Sequence, residues 1–465
     1  FEHMMFQRSE NVGEDQYFKL IQNAGGTLNG GTGNDATTYF EVVPKNALEM
    51  ILWLESDRMG YMINTVTPKS FAIQQNVVQN EKRQMVDNRP YGHTYGVILK
   101  NLYPEGHPYS WTVIGEMEDL RNATVEDVKE FHAKWYVPNN ATLVLAGDFE
   151  TEDAKKMIEK YFGEIPRGGD IVDPLPQPVT LEEKIKLSHE DNFAKASQLQ
   201  MIWPTVEQFS DDAYALDYLG ELLSEGKDAP LYKVLEKENQ FTSSQYAYNG
   251  SQEITGTFDI VVTANDGVSL KEIEDGVFEA FEMFEEESFT DEDVERIKAS
   301  LETDYYNMVS SILYKAFVLA NYNEYAGDPG YYSTDIEKVK AATKDDIIRV
   351  YNKYIKDKSF VMTSFVPKGK TDLIAENSVP FNIEEESVTE QKKISVAESE
   401  MKYSEEIKRK IDAIDVCPMC QSKMTEEHVN HVVGDANAKI GKAKDDLEGA
   451  RELVTKLQKD RGELQ

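Results

Sequence analysis

The chain has 465 residues, enough for two or three domains with full-sized cores, and its 84 Asp and Glu against 49 Lys and Arg leave a formal charge of -35. That balance argues against nucleic acid or an anionic membrane surface as the partner of the whole chain, and suits peptide substrates or a plain gain in solubility. No apolar run reaches the length of a membrane span, and both Cys lie in one short C-terminal motif, so the body depends on packing rather than disulfides.

The chain opens on Phe1-Glu2-His3-Met4-Met5-Phe6. Glu directly before His looks like the back half of the inverted zinc motif His-x-x-Glu-His, whose first His would stand three positions ahead of Glu2, before residue 1. On one helical turn, two His at i and i+4 aim at one metal, and the Glu before the second lies beside it. That Glu does not ligate; it takes a proton from a water that zinc has acidified to about pKa 7. Alone the pair is a weak signal, since any acidic chain carries Glu-His on plain surface helices. Residues 15–23 read as an amphipathic helix ended by Gly25-Gly26. Residues 27–43, Gly-rich and then rich in Thr and aromatics, read as a loop running into a strand. They lack the Gly-Lys-Ser/Thr of a nucleotide loop. Helices follow over 47–59 and 71–86, the second with Gln74 seven positions before Glu81, and Arg89-Pro90-Tyr91-Gly92 breaks it.

An internal repeat appears next. Thr124-Val125-Glu126-Asp127-Val128 leads to Trp135-Tyr136 and a predicted strand at 142–146. Thr343-Lys344-Asp345-Asp346-Ile347 leads to Tyr354-Ile355 and a predicted strand at 359–363. The offset is 219 positions, Leu120 and Val339 keep it, and each Thr is an N-cap with acids in the first turn. Between the copies lies a Pro-rich linker at 168–178. Strands are then predicted at 197–203 and 256–264, with helices at 211–223, 270–286 and 291–306 and a further segment at 231–238.

Phe1-Glu2-His3-Met4-Met5-Phe6, Gly25-Gly26-Thr27-Leu28-Asn29 and Val77-Val78-Gln79-Asn80-Glu81-Lys82-Arg83 come in the order and at about the spacing of the pitrilysin-type zinc peptidases, which include insulin-degrading enzyme and the mitochondrial processing peptidase. Arg89-Pro90-Tyr91-Gly92, Gly106-His107-Pro108-Tyr109-Ser110 and Ile114-Gly115 add to the likeness, which covers roughly residues 1 to 370 and is nearest to the short prokaryotic branch. The resemblance implies that His3 is the second zinc ligand, Glu2 the general base and Glu81 the distal third ligand. It also implies that Asn29 and the strand with Thr37 and Tyr39 pair with an extended substrate, a mode that demands little of peptide sequence. Gln74 is read as orienting a ligand from behind, or as a solvated helix position. His93 and His107 are read as structural. In this family the second half contributes Arg and Tyr to the substrate, but Gly256-Thr257-Phe258 brings no Arg.

Beyond about residue 387 the composition turns charged and helical. Cys417-Pro418-Met419-Cys420 is flanked by heptad-like arms, Ile407, Ile411 and Ile414 on one side and Ile440, Leu447 and Val454 with Ala443, Ala450 and Leu457 on the other. A Cys pair at the apex of a helical hairpin resembles the zinc-hook of SMC-like DNA-repair ATPases, where two apices share one zinc, although no Walker motif occurs here. A Cys2His2 site completed by His428 and His431, or a redox Cys pair, are the other readings.

The expectation is an α+β chain of two homologous α/β-sandwich halves: a zinc-site half at 1–167, a linker at 168–179 and a second half at 180–386. A helical coiled-coil hairpin tail at 387–465 follows. The expected function is zinc-dependent endopeptidase cleavage of short or unfolded peptides, with Zn2+ as cofactor and residues 1–465 inactive for want of the first His. The alternatives are a non-catalytic partner or scaffold subunit of the same fold, and a homodimer made through the tail.

Overall fold

A computed structural model describes residues 1–287 and 289–383, with residues 401, 405, 433–434, 436–445 and 447–449 of the tail. The chain divides into two units, Phe1–Phe381 and Asn382–Gln465. In the second, residues 436–445 are helical, with Ala436 and Ala443 buried. The tail's Cys417, Cys420, His428 and His431 lie outside the described residues.

The first unit begins with a short 3-10 helix, Glu2–Phe6, and then α1 (Gln16–Asn23), β1 (Thr27–Thr32), β2 (Thr37–Val42), α2 (Leu48–Tyr61) and α3 (Pro68–Lys82). The Gly-rich stretch is therefore strand rather than loop. Its glycines serve close approach: a Cβ on Gly30 would meet Phe6 Cζ at 3.0 Å and Tyr39 Cδ1 at 3.1 Å. α3 starts three residues ahead of the predicted Phe71, because Thr67 caps Ser70 reciprocally and Pro68 occupies the first turn. Then come α4 (Thr94–Leu102), α5 (Met117–Asn122), α6 (Val125–Trp135) and α7 (Thr151–Phe162).

The second half supplies β3 (Ile185–Asp191), β4 (Gln198–Thr205), α8 (Asp211–Ser224), β5 (Thr242–Asn249), β6 (Gly256–Ala264), α9 (Leu270–Glu287), α10 (Asp291–Ser310), α11 (Ile312–Asn321), α12 (Tyr332–Ala341), α13 (Lys344–Val350), β7 (Val361–Pro367) and β8 (Val379–Pro380). Its sheet runs β5-β6-β4-β7-β3-β8, while β1 and β2 pair as an antiparallel hairpin. One face of the large sheet, with Leu199, Met201, Trp203, Phe258 and Ile260, packs on α8 and α9 as a continuous core. The other carries Gln200, Asp259 and Thr363 and turns to α4 of the first half.

The repeat recurs in the fold. β2 and β6 begin 219 positions apart, as do the capping boxes of Thr124 and Thr343. The predicted strand at 142–146 is the exception and has no regular structure. Its counterpart β7 is a strand because β4 and β3 hydrogen-bond to it on either side; no described strand flanks 142–146. Thr142 instead takes a hydrogen bond from Asn323 Nδ2 at 2.9 Å. β3, β5 and β8 were not anticipated from the sequence. Tyr91, at φ 58°, joins the halves: its N–H donates to Asp191 Oδ2 at 2.7 Å and its hydroxyl to the Ala196 carbonyl at 2.6 Å.

Candidate metal centre

Buried Met4, Met5 and Phe6 anchor the Glu2–Phe6 helix among β1, α2 and α3. That anchorage leaves Glu2 and His3 beside the last turn of α3, where Glu81 projects. His3 Nε2 stands 3.2 Å from Glu81 Oε2, with the side chains 30% and 44% exposed. Thr32 Oγ1 donates to Glu2 Oε2 at 2.5 Å, and a further hydrogen bond links Thr32 to Thr37 at 3.1 Å. The fold thus brings together an imidazole and a carboxylate that the chain separates by 78 positions.

Asn29 lies on β1, its Oδ1 accepting the Gly30 N–H at 2.9 Å. Tyr39 on β2 shares a hydrogen bond with the Tyr136 hydroxyl at 2.9 Å. Gln74 is buried on α3, with no hydrogen bond to His3 or Glu81. His107 stacks on Tyr103 at 4.6 Å and accepts the Tyr109 N–H at Nδ1 at 3.1 Å. His93 is part-buried with Nε2 3.7 Å from Asp87 Oδ1, and burial pushes its imidazole down to about 4.

Catalytic zinc takes three protein ligands and an open position. An imidazole nitrogen and a carboxylate oxygen at 3.2 Å face one another as two ligands of one ion do, and the donor types suit zinc. Among the described residues no group of three His, Cys, Asp or Glu side chains is placed to hold a metal. His3 and Glu81 therefore fit zinc as two of three ligands, with Glu2 beside them.

The sequence reading missed the support under this site. Arg58 of α2 is buried, with Nη2 2.6 Å from Glu55 Oε2 and 3.2 Å from Glu41 Oε1. Its guanidinium carbon lies 4.4 Å from the Tyr39 ring centre and 4.9 Å from that of Tyr17, a cation–π stack. The Tyr17 hydroxyl donates to Glu55 and, at 3.2 Å, to Glu41. Burial, then the neighbouring Glu55, hold the Glu41 carboxyl well above the usual range, with Arg58 opposing. This node ties β2 to α1 and α2, fixing the strand beside Glu2. Its signal in the sequence was Glu55 and Arg58, three apart on one helix.

The model described as "Insulinase (Peptidase family M16)" matches residues 1–104, and the one described as "Peptidase M16 inactive domain" matches residues 122–301. Among curated proteins, the zinc protease PqqE of Helicobacter pylori is 26% identical over 77% of this chain and 80% of its own length. The mitochondrial-processing peptidase subunit beta of Caenorhabditis elegans is 25% identical over 42% of this chain and 45% of its own. In three dimensions, a protease from Helicobacter pylori superposes with a TM-score of 0.72 at 24% identity, covering 79% of this chain and 88% of that one. A peptidase M16 inactive domain from Pseudomonas fluorescens gives 0.68 at 17% identity, covering 82% and 88%. These two likenesses establish a shared mixed helix and sheet fold. The two family models together span more than half of the residues, and the chain belongs to the M16 peptidase family.

Proposed function

We propose that this chain is the body of a zinc endopeptidase for short or unfolded peptides, with His3 and Glu81 as zinc ligands and Glu2 as general base. The approach of His3 to Glu81 across the fold is the observation that carries the reading. When bound, zinc lowers the pKa of a water ligand to about 7 and polarises a scissile carbonyl. Glu2, held by the Thr32 hydroxyl, would take the proton at its carboxylate and hand it on to the leaving amine. The hairpin with Asn29, Thr37 and Tyr39 would bind the peptide backbone in extended form, and the Arg58 node would keep that strand in register.

Two described ligands are one too few, and the inverted motif takes its third from a His three positions ahead of Glu2. Residues 1–465 alone should therefore hold zinc weakly and cleave nothing. The test is a version extended so that His stands at that position, assayed on a pool of unstructured peptides. Zinc-dependent cleavage is expected, with Glu2→Gln losing roughly 10²–10⁴-fold while zinc stays bound. No cleavage despite stoichiometric zinc would instead favour a non-catalytic partner or scaffold subunit. That second reading draws support from the "inactive domain" description over residues 122–301.

A third role, zinc-hook pairing through Cys417 and Cys420, predicts a dimer that a chelator splits; an unchanged mass would remove it.

A further inference from the structure

Glu2 stands at the end of a row of hydroxyl groups, and counting their protons gives the row a direction. Thr32 and Thr37 are cross-strand partners at the turn end of the β1–β2 hairpin, and Tyr39, two residues on from Thr37, shares their face. Thr32 Oγ1 donates to Glu2 Oε2 at 2.5 Å, which commits its one proton. The 3.1 Å bond between the two threonines therefore has Thr37 as its donor. Thr37 is also hydrogen-bonded to Tyr136, at the C-terminal end of α6. With the Thr37 proton already given, Tyr136 donates there, and Tyr39 donates across the 2.9 Å bond to Tyr136. Four neutral hydroxyls thus point one way, Tyr39 to Tyr136 to Thr37 to Thr32, and end on one carboxylate oxygen. Hydrogen bonds in such a run polarise one another, so each strengthens the next. Burial is the largest influence on both tyrosines and raises their hydroxyl pKa, which keeps them as donors.

The internal repeat shows that folding does not ask for these hydroxyls. The 219-residue offset sets Gly256 against Thr37, Phe258 against Tyr39 and Ile355 against Tyr136. Phe258 and Ile355 are both buried in the core of the second half. Apolar residues thus build the same strand and helix end in the copy that has Leu222 in place of His3. Ser251, the counterpart of Thr32, keeps a hydroxyl, but it bonds to Asn249 on its own strand side. The hydroxyl chain therefore goes with the candidate metal centre and not with the architecture. Its end point has a consequence for geometry. A carboxylate pinned at Oε2 by a hydroxyl presents Oε1, which takes no hydrogen bond among the described residues, at a fixed angle.

We propose that Thr32, Thr37, Tyr136 and Tyr39 are positioning residues, a one-way hydroxyl chain that pins Glu2 Oε2 and leaves Oε1 as the oxygen that accepts the proton. The inference rests on the proposed function, which makes Glu2 the base. Tyr136 acts only through three successive hydrogen bonds, the last of them from Thr32.

Two measurements test it, the first without zinc. In residues 1–465 the Cζ NMR signal of Tyr136, identified by its loss in Tyr136→Phe, reads the hydrogen bonding of that hydroxyl. Thr32→Val should shift the signal and Thr32→Ser should leave it in place; Thr32 is exposed, so the fold tolerates both. The second measurement uses the extended, zinc-loaded chain. There Thr32→Val should lower kcat about tenfold and Tyr136→Phe about threefold, each with KM unchanged, while Thr32→Ser keeps kcat. The double variant should lose no more than Thr32→Val alone, because the second hydroxyl acts through the first; separate structural roles would add. An unmoved Tyr136 signal, additive losses or a loss confined to KM overturns the proposal. No cleavage by the unaltered extended chain overturns the proposed function, and this inference with it. Cleavage that Thr32→Val leaves intact overturns this inference alone.

Discussion

The two halves answer the same fold with opposite use of one position. The 219-residue offset sets Glu221 and Leu222 of α8 against Glu2 and His3. In the second half ten of the fourteen α8 residues are buried, Leu222 among them, and the helix closes a core with the sheet and α9. In the first half the equivalent turn buries only the apolar side, Met4 to Phe6, and leaves the imidazole partly open to a carboxylate from α3. One copy gives this stretch to packing, and in the other it carries the proposed zinc ligand. The lesson is that the fold tolerates a polar constellation at this point where a second layer holds the strand beneath it, which is the part Arg58 takes.

The sharpest way to break the comparison is to make the first copy resemble the second. His3→Leu in the extended chain should abolish both zinc retention and cleavage while leaving the circular dichroism spectrum unchanged; zinc retained at one equivalent would remove His3 from the ligand set. Arg58→Met attacks the supporting layer. It leaves Glu41 and Glu55 buried without their cation and should destabilise by about 3–5 kcal/mol, read from the urea midpoint. A loss under 1 kcal/mol would show that the node carries little. Leu222→Ala in the second copy removes core volume alone, with an expected cost of about 2–4 kcal/mol and no change in zinc content.

The smallest effect is on pH dependence. Burial pushes Asp259 up to about 6, and burial with Asp35 beside it brings Glu253 to about 7. Raised carboxyls bind protons more tightly folded than unfolded, so their contribution to stability is greatest below the unfolded pKa near 4. It is then lost as pH rises through about 6 to 7. Thermal midpoints should fall between pH 5 and 8, and Glu253→Gln should flatten part of that slope. A midpoint rising over this range would contradict the assignment.

Much of this was legible in the sequence because it rests on local chemistry. Thr124 and Thr343 announce their helices through side chains three residues away, and the offset between them foretold the paired halves. The meeting of His3 with Glu81 came from resemblance, since no local rule links residues so far apart. What stayed hidden depends on neighbours distant in sequence. Residues 142–146 have the apolar pattern of a strand, yet a strand exists only beside another, and none of the described ones flanks them. Gly30 looked like loop because its closeness to Phe6 is a tertiary fact. Arg58 and Asp259 look like ordinary charges until the fold buries them.

The central claim is that zinc belongs to the first copy, through His3 and Glu81. X-ray absorption at the zinc edge of the extended chain, loaded with one equivalent, tests it most directly. The account predicts nitrogen and oxygen neighbours at about 2.0–2.2 Å and no sulfur, with the signal lost in Glu81→Ala. A shell of sulfur at about 2.3 Å would place the ion on Cys417 and Cys420 instead and contradict it.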